Sequence, residues 1–146
     1  MRLARGNPKV NQQIDLLCTI QGIGEKSAIL LLPRLFIMSP VLSDCRKLLS
    51  YAGFVPEEKQ SGKFKGRVKM SKKGNAWMRR ALYMPTLNAT QHNPVIKILY
   101  ERMLAAGQPK RKAVISCMPR LLRLIWGVFR HQEPFDVKKW GGTVDK

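Results

Sequence analysis

The sequence predicts a mainly α fold: a helical domain with an N-terminal helix-hairpin-helix and at most one small β-hairpin. Three observations predict it. Apolar residues recur at three- and four-residue spacing over most of the 146 residues, the period of one helical face. Glycines, prolines and asparagines fall where these runs begin and end, the positions at which helices start and stop. Only the stretch from Val55 to Gly74 loses the period, as glycine and lysine replace apolar residues. Hydrophobic residues make up 45% of the chain, enough for a packed core.

Residues 1–7 read as a loose N-terminal segment. Asn7 can cap a first helix with Pro8 at its first position, and Val10, Ile14 and Leu17 give it an apolar face. Gly22 and Gly24 stop it near Thr19. A second helix is expected from about Glu25 to Leu35, burying Ala28, Leu31, Leu32 and Leu35. Ser43 can cap a third, carrying Cys45, Leu48, Leu49 and Ala52, with Gly53 just past its end. The segment from Val55 to Gly74 is a loop or a short twisted hairpin. Helical period returns from Asn75 to about Gln91, with Pro85 inside it. An interior proline removes a backbone bond at a cost of ~3 kcal/mol, so a kink or break is expected there. Asn93-Pro94 starts another helix, with Ile96, Leu99, Tyr100 and Met103 inward and Gly107 ending it. The last long helix runs from about Lys112 to Arg130, apolar at Val114, Cys117, Leu121, Leu124, Ile125 and Val128 and interrupted by Pro119. One domain over residues 8–131 and a flexible tail over 132–146 complete the division.

Charge narrows the function. Lysine and arginine number 27 against 9 acidic residues, a net charge of +18, with a pI near 10.5. A compact chain so charged repels itself unless a polyanion is near. The apolar run from Ala28 to Leu32 ends at Pro33, short of the ~20 residues a membrane span needs. The first residues lack the apolar stretch of a signal peptide, so a cytosolic protein with a nucleic-acid partner is expected, with no membrane partner. The three cysteines, Cys18, Cys45 and Cys117, are far apart among aliphatic residues, and only His92 and His131 could join them. They read as reduced, packed thiols rather than a metal site.

Three features can carry chemistry. The first is Ile20-Gln21-Gly22-Ile23-Gly24-Glu25-Lys26-Ser27-Ala28, between two helices. Glycine supplies positive φ and close backbone approach. The free N–H groups opening the next helix suit a phosphate oxygen, and Lys26 adds a mobile charge. Such contacts hold a duplex without reading its sequence. The second is the basic run from Lys59 to Arg80, with Lys63, Lys65, Arg67, Lys72, Lys73, Arg79 and Arg80 and no acidic residue. Its glycines also let backbone amides approach phosphates. Trp77 beside it could stack on a base, although a tryptophan at such a helical position more often belongs to the core. The third is Ser61, by residue type alone a loop serine. A nucleophilic serine needs an activating base or metal and cations for the developing charge; cations are abundant nearby and a base is not evident.

Taken in order, Leu48-Leu49-Ser50-Tyr51-Ala52-Gly53-Phe54-Val55-Pro56, Gln60-Ser61-Gly62, Gly66-Arg67, Ser71-Lys72-Lys73-Gly74-Asn75, Arg79-Arg80-Ala81-Leu82-Tyr83-Met84-Pro85 and His92-Asn93-Pro94 carry a resemblance. From about Ile14 to Asp136 the chain resembles the C-terminal domain of the IS one-ten family of insertion-sequence transposases, DEDD recombinases related to the Piv and MooV invertases. In that family an N-terminal RuvC-like domain holds magnesium on four carboxylates, the C-terminal domain supplies a DNA-attacking serine, and a structured RNA guides pairing.

The resemblance implies Ser61 as nucleophile, forming a serine–DNA phosphodiester. It implies Gly22, Gly24 and Lys26 as phosphate contacts, and Arg67, Lys72, Lys73, Arg79 and Arg80 along the nucleic-acid path. It further implies DNA and a guide RNA as partners, and either self-association or a separately encoded RuvC-like domain. The nine acidic residues show no metal-site arrangement, so no cofactor is expected on this chain, magnesium belongs with the missing RuvC-like domain, and a truncated, inactive copy is expected. Pro119 departs from the resemblance, standing where a basic residue is expected. Beside this reading stands a non-catalytic DNA- or RNA-binding module.

Overall fold

A computed structural model describes residues 8–39, 45–54, 56–57, 60–61, 64–65, 69–70 and 76–141, the short strands and residues 140–141 by their backbone alone. Helix α1 (Pro8–Cys18) leads through a tight turn into α2 (Glu25–Met38), and α3 (Cys45–Ala52) follows. Four two-residue strands come next: β1 (Pro56–Glu57), β2 (Gln60–Ser61), β3 (Phe64–Lys65) and β4 (Lys69–Met70). The chain closes with α4 (Ala76–His92), α5 (Pro94–Ala105), α6 (Lys110–His131) and the short α7 (Val137–Gly141). A mainly α fold is thus observed. The strands form two nested antiparallel pairs: Gln60 and Ser61 face Lys65 and Phe64, while Pro56 and Glu57 face Met70 and Lys69. The expected caps at Asn7 and Ser43 and the expected loose segment 1–7 lie outside the described residues.

Helix ends follow from local chemistry. Gly53 has φ 82°; its N–H bonds the Ser50 carbonyl at 3.0 Å, and Phe54 N–H bonds that of Leu49 at 2.9 Å. Gly107, at φ 90°, ends α5 with the same pair of bonds, to Leu104 and Met103. In both places a left-handed residue lets the last carbonyls find partners. Asn93 opens α5: its Oδ1 accepts from the N–H groups of Val95 (3.0 Å) and Ile96 (3.3 Å), and Pro94 fits the first turn, where no N–H is needed.

Prolines do not break the helices that contain them. Pro33, Pro85 and Pro119 lie inside α2, α4 and α6. Pro85 is buried, and beside it the Thr86 hydroxyl donates to the Leu82 carbonyl at 2.7 Å. Tertiary packing supplies most of a helix's stability in a folded protein, and it outweighs the lost bond here. The break allowed for at Pro85 is therefore corrected to a continuous helix.

One core holds the helices together. Helix α6 lies at its centre, burying twelve of its 22 residues and packing on α1, α3, α4 and α5. The segment beyond His131, expected as a tail, is also packed along its described part. Gln132 takes a left-handed conformation (φ 53°) and exchanges side-chain amide bonds with Gln13. Phe135 N–H donates to the Thr19 hydroxyl at 2.8 Å, its ring lies against the core, and α7 contacts α5. Those backbone and side-chain partners were not visible in a run of mixed residues.

Candidate nucleic-acid interface

The turn between α1 and α2 is built by short-range bonds. The N–H groups of Thr19, Ile20 and Ile23 reach the carbonyls of Leu16, Leu17 and Ile20 at 3.0–3.1 Å. Ile20 and Ile23 are buried and staple the turn to the core. Asn93 Nδ2 donates to the Gln21 carbonyl at 3.2 Å, so the residue that caps α5 also holds the turn in place.

The two glycines then part company. Gly22 has φ 104°, and a Cβ there would lie 2.7 Å from the N, Cα and Cβ of Ala89 on α4. Its missing side chain serves helix-to-turn packing. Gly24 is exposed, has φ −93° and ψ 175°, and a Cβ there would meet nothing within 4 Å. As the N-cap of α2 it has no side chain to hold the opening N–H groups, which carry the positive end of the helix dipole. Lys26 is exposed one residue into the first turn. Glu25 stands there too, and its carboxylate competes electrostatically with any phosphate. Gly24, Glu25 and Lys26 thus share an exposed corner, and Gly22 shapes it from behind.

Ser61 is the last paired residue of β2, opposite Phe64, with two residues between them. Lys65 pairs with Gln60 on the same arm. The side chains of Ser61 and Lys65, and the whole of Lys63, Arg67, Lys72 and Lys73, lie outside the described residues. What is described is the root of the arm. The arm leaves from the end of α3 and returns into the start of α4. Arg79 joins these two ends, donating from Nη1 to the Ala52 carbonyl at 3.3 Å. Arg80 is exposed beside it.

Trp77 is not a core residue. It is 37% exposed, with the Arg34 guanidinium 4.9 Å from its ring centroid. Arg34 Nη1 also donates to the Tyr51 hydroxyl at 3.2 Å. Sequence reasoning missed that Arg34 links Trp77 to Tyr51, because the three sit on different helices and no spacing relates them.

Asp15, Glu25 and Glu101 stand on three different helices, Glu133 and Asp136 share the segment between α6 and α7, and no group of three metal-ligating side chains gathers among the described residues. Glu133 is held by the Lys139 ammonium, which lowers its pKa below the usual carboxylate value. No disulfide joins Cys18, Cys45 or Cys117, and burial pushes the Cys117 thiol up to about 11. No helix among the described residues is long and apolar enough to cross a membrane.

Residues 14–101, from α1 through the arm to α5, match the family described as "Transposase IS116/IS110/IS902 family". Two proteins named "Pilin gene-inverting protein", from Moraxella lacunata and Moraxella bovis, are each 31% identical to the chain over 140 residues, covering 92% of it and 42% of themselves. The "Insertion element IS900 uncharacterized 42 kDa protein" of Mycobacterium paratuberculosis is 26% identical over 84 residues, 58% of the chain and 21% of that protein. The chain therefore spans about two fifths of the length of the pilin gene-inverting proteins it matches.

Proposed function

The chain belongs to the IS116/IS110/IS902 transposase family, and from that premise we propose that it is the DNA-binding, serine-bearing domain of a transposase. The observation that carries the reading is the coverage of the family match, which takes in the Gly22–Lys26 turn and the arm bearing Ser61 in one stretch. The duplex is gripped through its phosphates. Gly24 and Lys26 offer backbone N–H groups and a cation at one point, and Lys63, Lys65, Arg67, Lys72, Lys73 and Arg80 extend the positive path along and beside the arm. Arg79 holds the arm's root and lends its charge to that path. Gly22 contributes by bringing the turn against α4.

Ser61 is the nucleophile. Its Oγ attacks a backbone phosphorus, a serine–DNA phosphodiester forms, the bond to the neighbouring sugar oxygen breaks, and that oxygen leaves with a proton. One phosphodiester replaces another, so the strand can later be rejoined without an outside energy source. Nearby lysines and arginines stabilise the extra negative charge as the phosphorus becomes five-coordinate. Metal-binding carboxylates come from a RuvC-like part, in the same polypeptide or a separate one. A guide RNA is the further partner in this reading. By itself the chain binds DNA and cleaves nothing.

Replacing Ser61 separates this account from that of a bare binding module. With the RuvC-like part supplied, Ser61→Ala keeps DNA affinity and loses recombination. Recombination surviving the change would remove Ser61 from the mechanism.

A further inference from the structure

We propose that Trp77, Arg34 and Tyr51 form a platform on which an unpaired DNA base stacks, at the root of the arm that bears Ser61. The inference rests on the DNA-binding role above and adds the kind of DNA the site takes. Tyr51 lies in the last turn of α3, just before the chain enters the arm, and Trp77 lies in the first turn of α4, just after it leaves. Both are 37% exposed, whereas their neighbours Ala52 and Met78 are fully buried. The backbone at this point is thus anchored in the core, and the two aromatic rings stand at the surface. Arg34 reaches across from α2, its guanidinium 4.9 Å from the Trp77 centroid and its Nη1 3.2 Å from the Tyr51 hydroxyl. Three helices converge on one cationic, partly exposed cluster of two aromatic rings and a guanidinium.

Planes of this sort are what nucleobases stack on. Aromatic rings and guanidinium groups offer flat faces, and the guanidinium adds attraction to the ring and to a phosphate. The Arg34 side chain has five N–H donors in fixed directions, and the bond to Tyr51 orients the fork before any ligand arrives. Bases inside a duplex are already stacked on one another, so the platform has no use for them. It takes a base that has left its pair, the state that strand exchange near a cut must pass through, and it offsets part of the unstacking cost. The surrounding charge favours a polyanion over an apolar partner: Arg79 and Arg80 follow on α4, and the arm's sequence from Lys59 onward is basic without an acidic residue.

The experiment is a titration of the chain with single-stranded oligothymidylate and with a duplex of equal length, following tryptophan emission. Wild-type emission is quenched by the single strand and not by the duplex, and the quench is missing in Trp77→Phe. Trp77→Leu weakens single-strand binding by about tenfold or more and leaves duplex affinity within about twofold. Arg34→Lys, which keeps the charge and removes the plane, weakens single-strand binding in the same direction. Equal quenching by both ligands overturns the platform, as does Trp77→Leu lowering both affinities alike or neither. If duplex is bound with its salt dependence intact while Trp77 stays silent, the platform alone fails. If neither DNA is bound, the DNA-binding role fails with it.

Discussion

A methyl group added at Gly22 would lie 2.7 Å from three atoms of Ala89, on a backbone already at φ 104°. Gly22→Ala should therefore cost roughly 2–4 kcal/mol, from overpacking and from the positive φ. At Gly24 the φ of −93° suits any residue and the space is open, so Gly24→Ala should change stability by less than about 1 kcal/mol. Urea melts of the two variants check this; equal losses would mean that the turn does not sit against α4. That two glycines were needed here was legible in the sequence. Which of them faces the protein was not, because Ala89 belongs to a helix far along the chain. Trp77 shows the same blindness: helical spacing favoured the core, whereas the ring is 37% exposed under the Arg34 guanidinium.

Cys117 carries a pH prediction. Burial raises its thiol from 9.0 to about 11. Below pH 9 the thiol is protonated folded or unfolded, and it has no effect on the slope. Between about 9 and 11 the unfolded chain gives up the proton and the folded one keeps it, so stability falls as pH rises, by up to roughly 2–3 kcal/mol. Urea midpoints across that window should fall more steeply for the wild type than for Cys117→Ala. Identical slopes would show that the thiol is hydrated in the folded protein.

At the scale of elements, starts and stops were written plainly. Pro8, Gly53, Asn93-Pro94 and Gly107 mark helix ends in the sequence, and the structure uses each of them so. Helix interiors were less legible. Pro119 is half-buried within α6, which continues unbroken through it. The Ile115 carbonyl loses its N–H partner as a result. Pro119→Ala restores the donor and removes the ring, and should stabilise the domain by about 1–3 kcal/mol; a lowered melting temperature would show that the ring fills space the core needs. The packing beyond His131 was invisible for a different reason. Gln132 and Phe135 are held by Gln13 and Thr19 from the opposite end of the chain, and no local pattern announces such pairs.

The whole molecule is a helical core built around α6, carrying a charge its own acidic residues cannot balance. Lys110, Arg111 and Lys112 even stand at the N-terminal turn of α6, where the helix dipole disfavours cations. A net charge of +18 is costly in the free domain and favourable against a polyanion. Fold class, core helices and electrostatic character could all be inferred from composition and period, since each is a sum over many residues. The β arm that carries Ser61 was legible only as one of two readings of its segment, loop or short hairpin, because two-residue strands leave almost no periodic trace.

The central claim is that this domain holds DNA by neutralising its phosphates. Equilibrium affinity for a duplex of random sequence, measured from about 50 to about 200 mM salt, tests it most directly. Contacts to six or more phosphates predict a loss of about a thousandfold or more over that range. Gly24→Val, which closes the open corner of the turn without touching Ala89, should lower the affinity at every salt concentration. No binding at the lowest salt, or an affinity that stays flat as salt rises, would contradict the account.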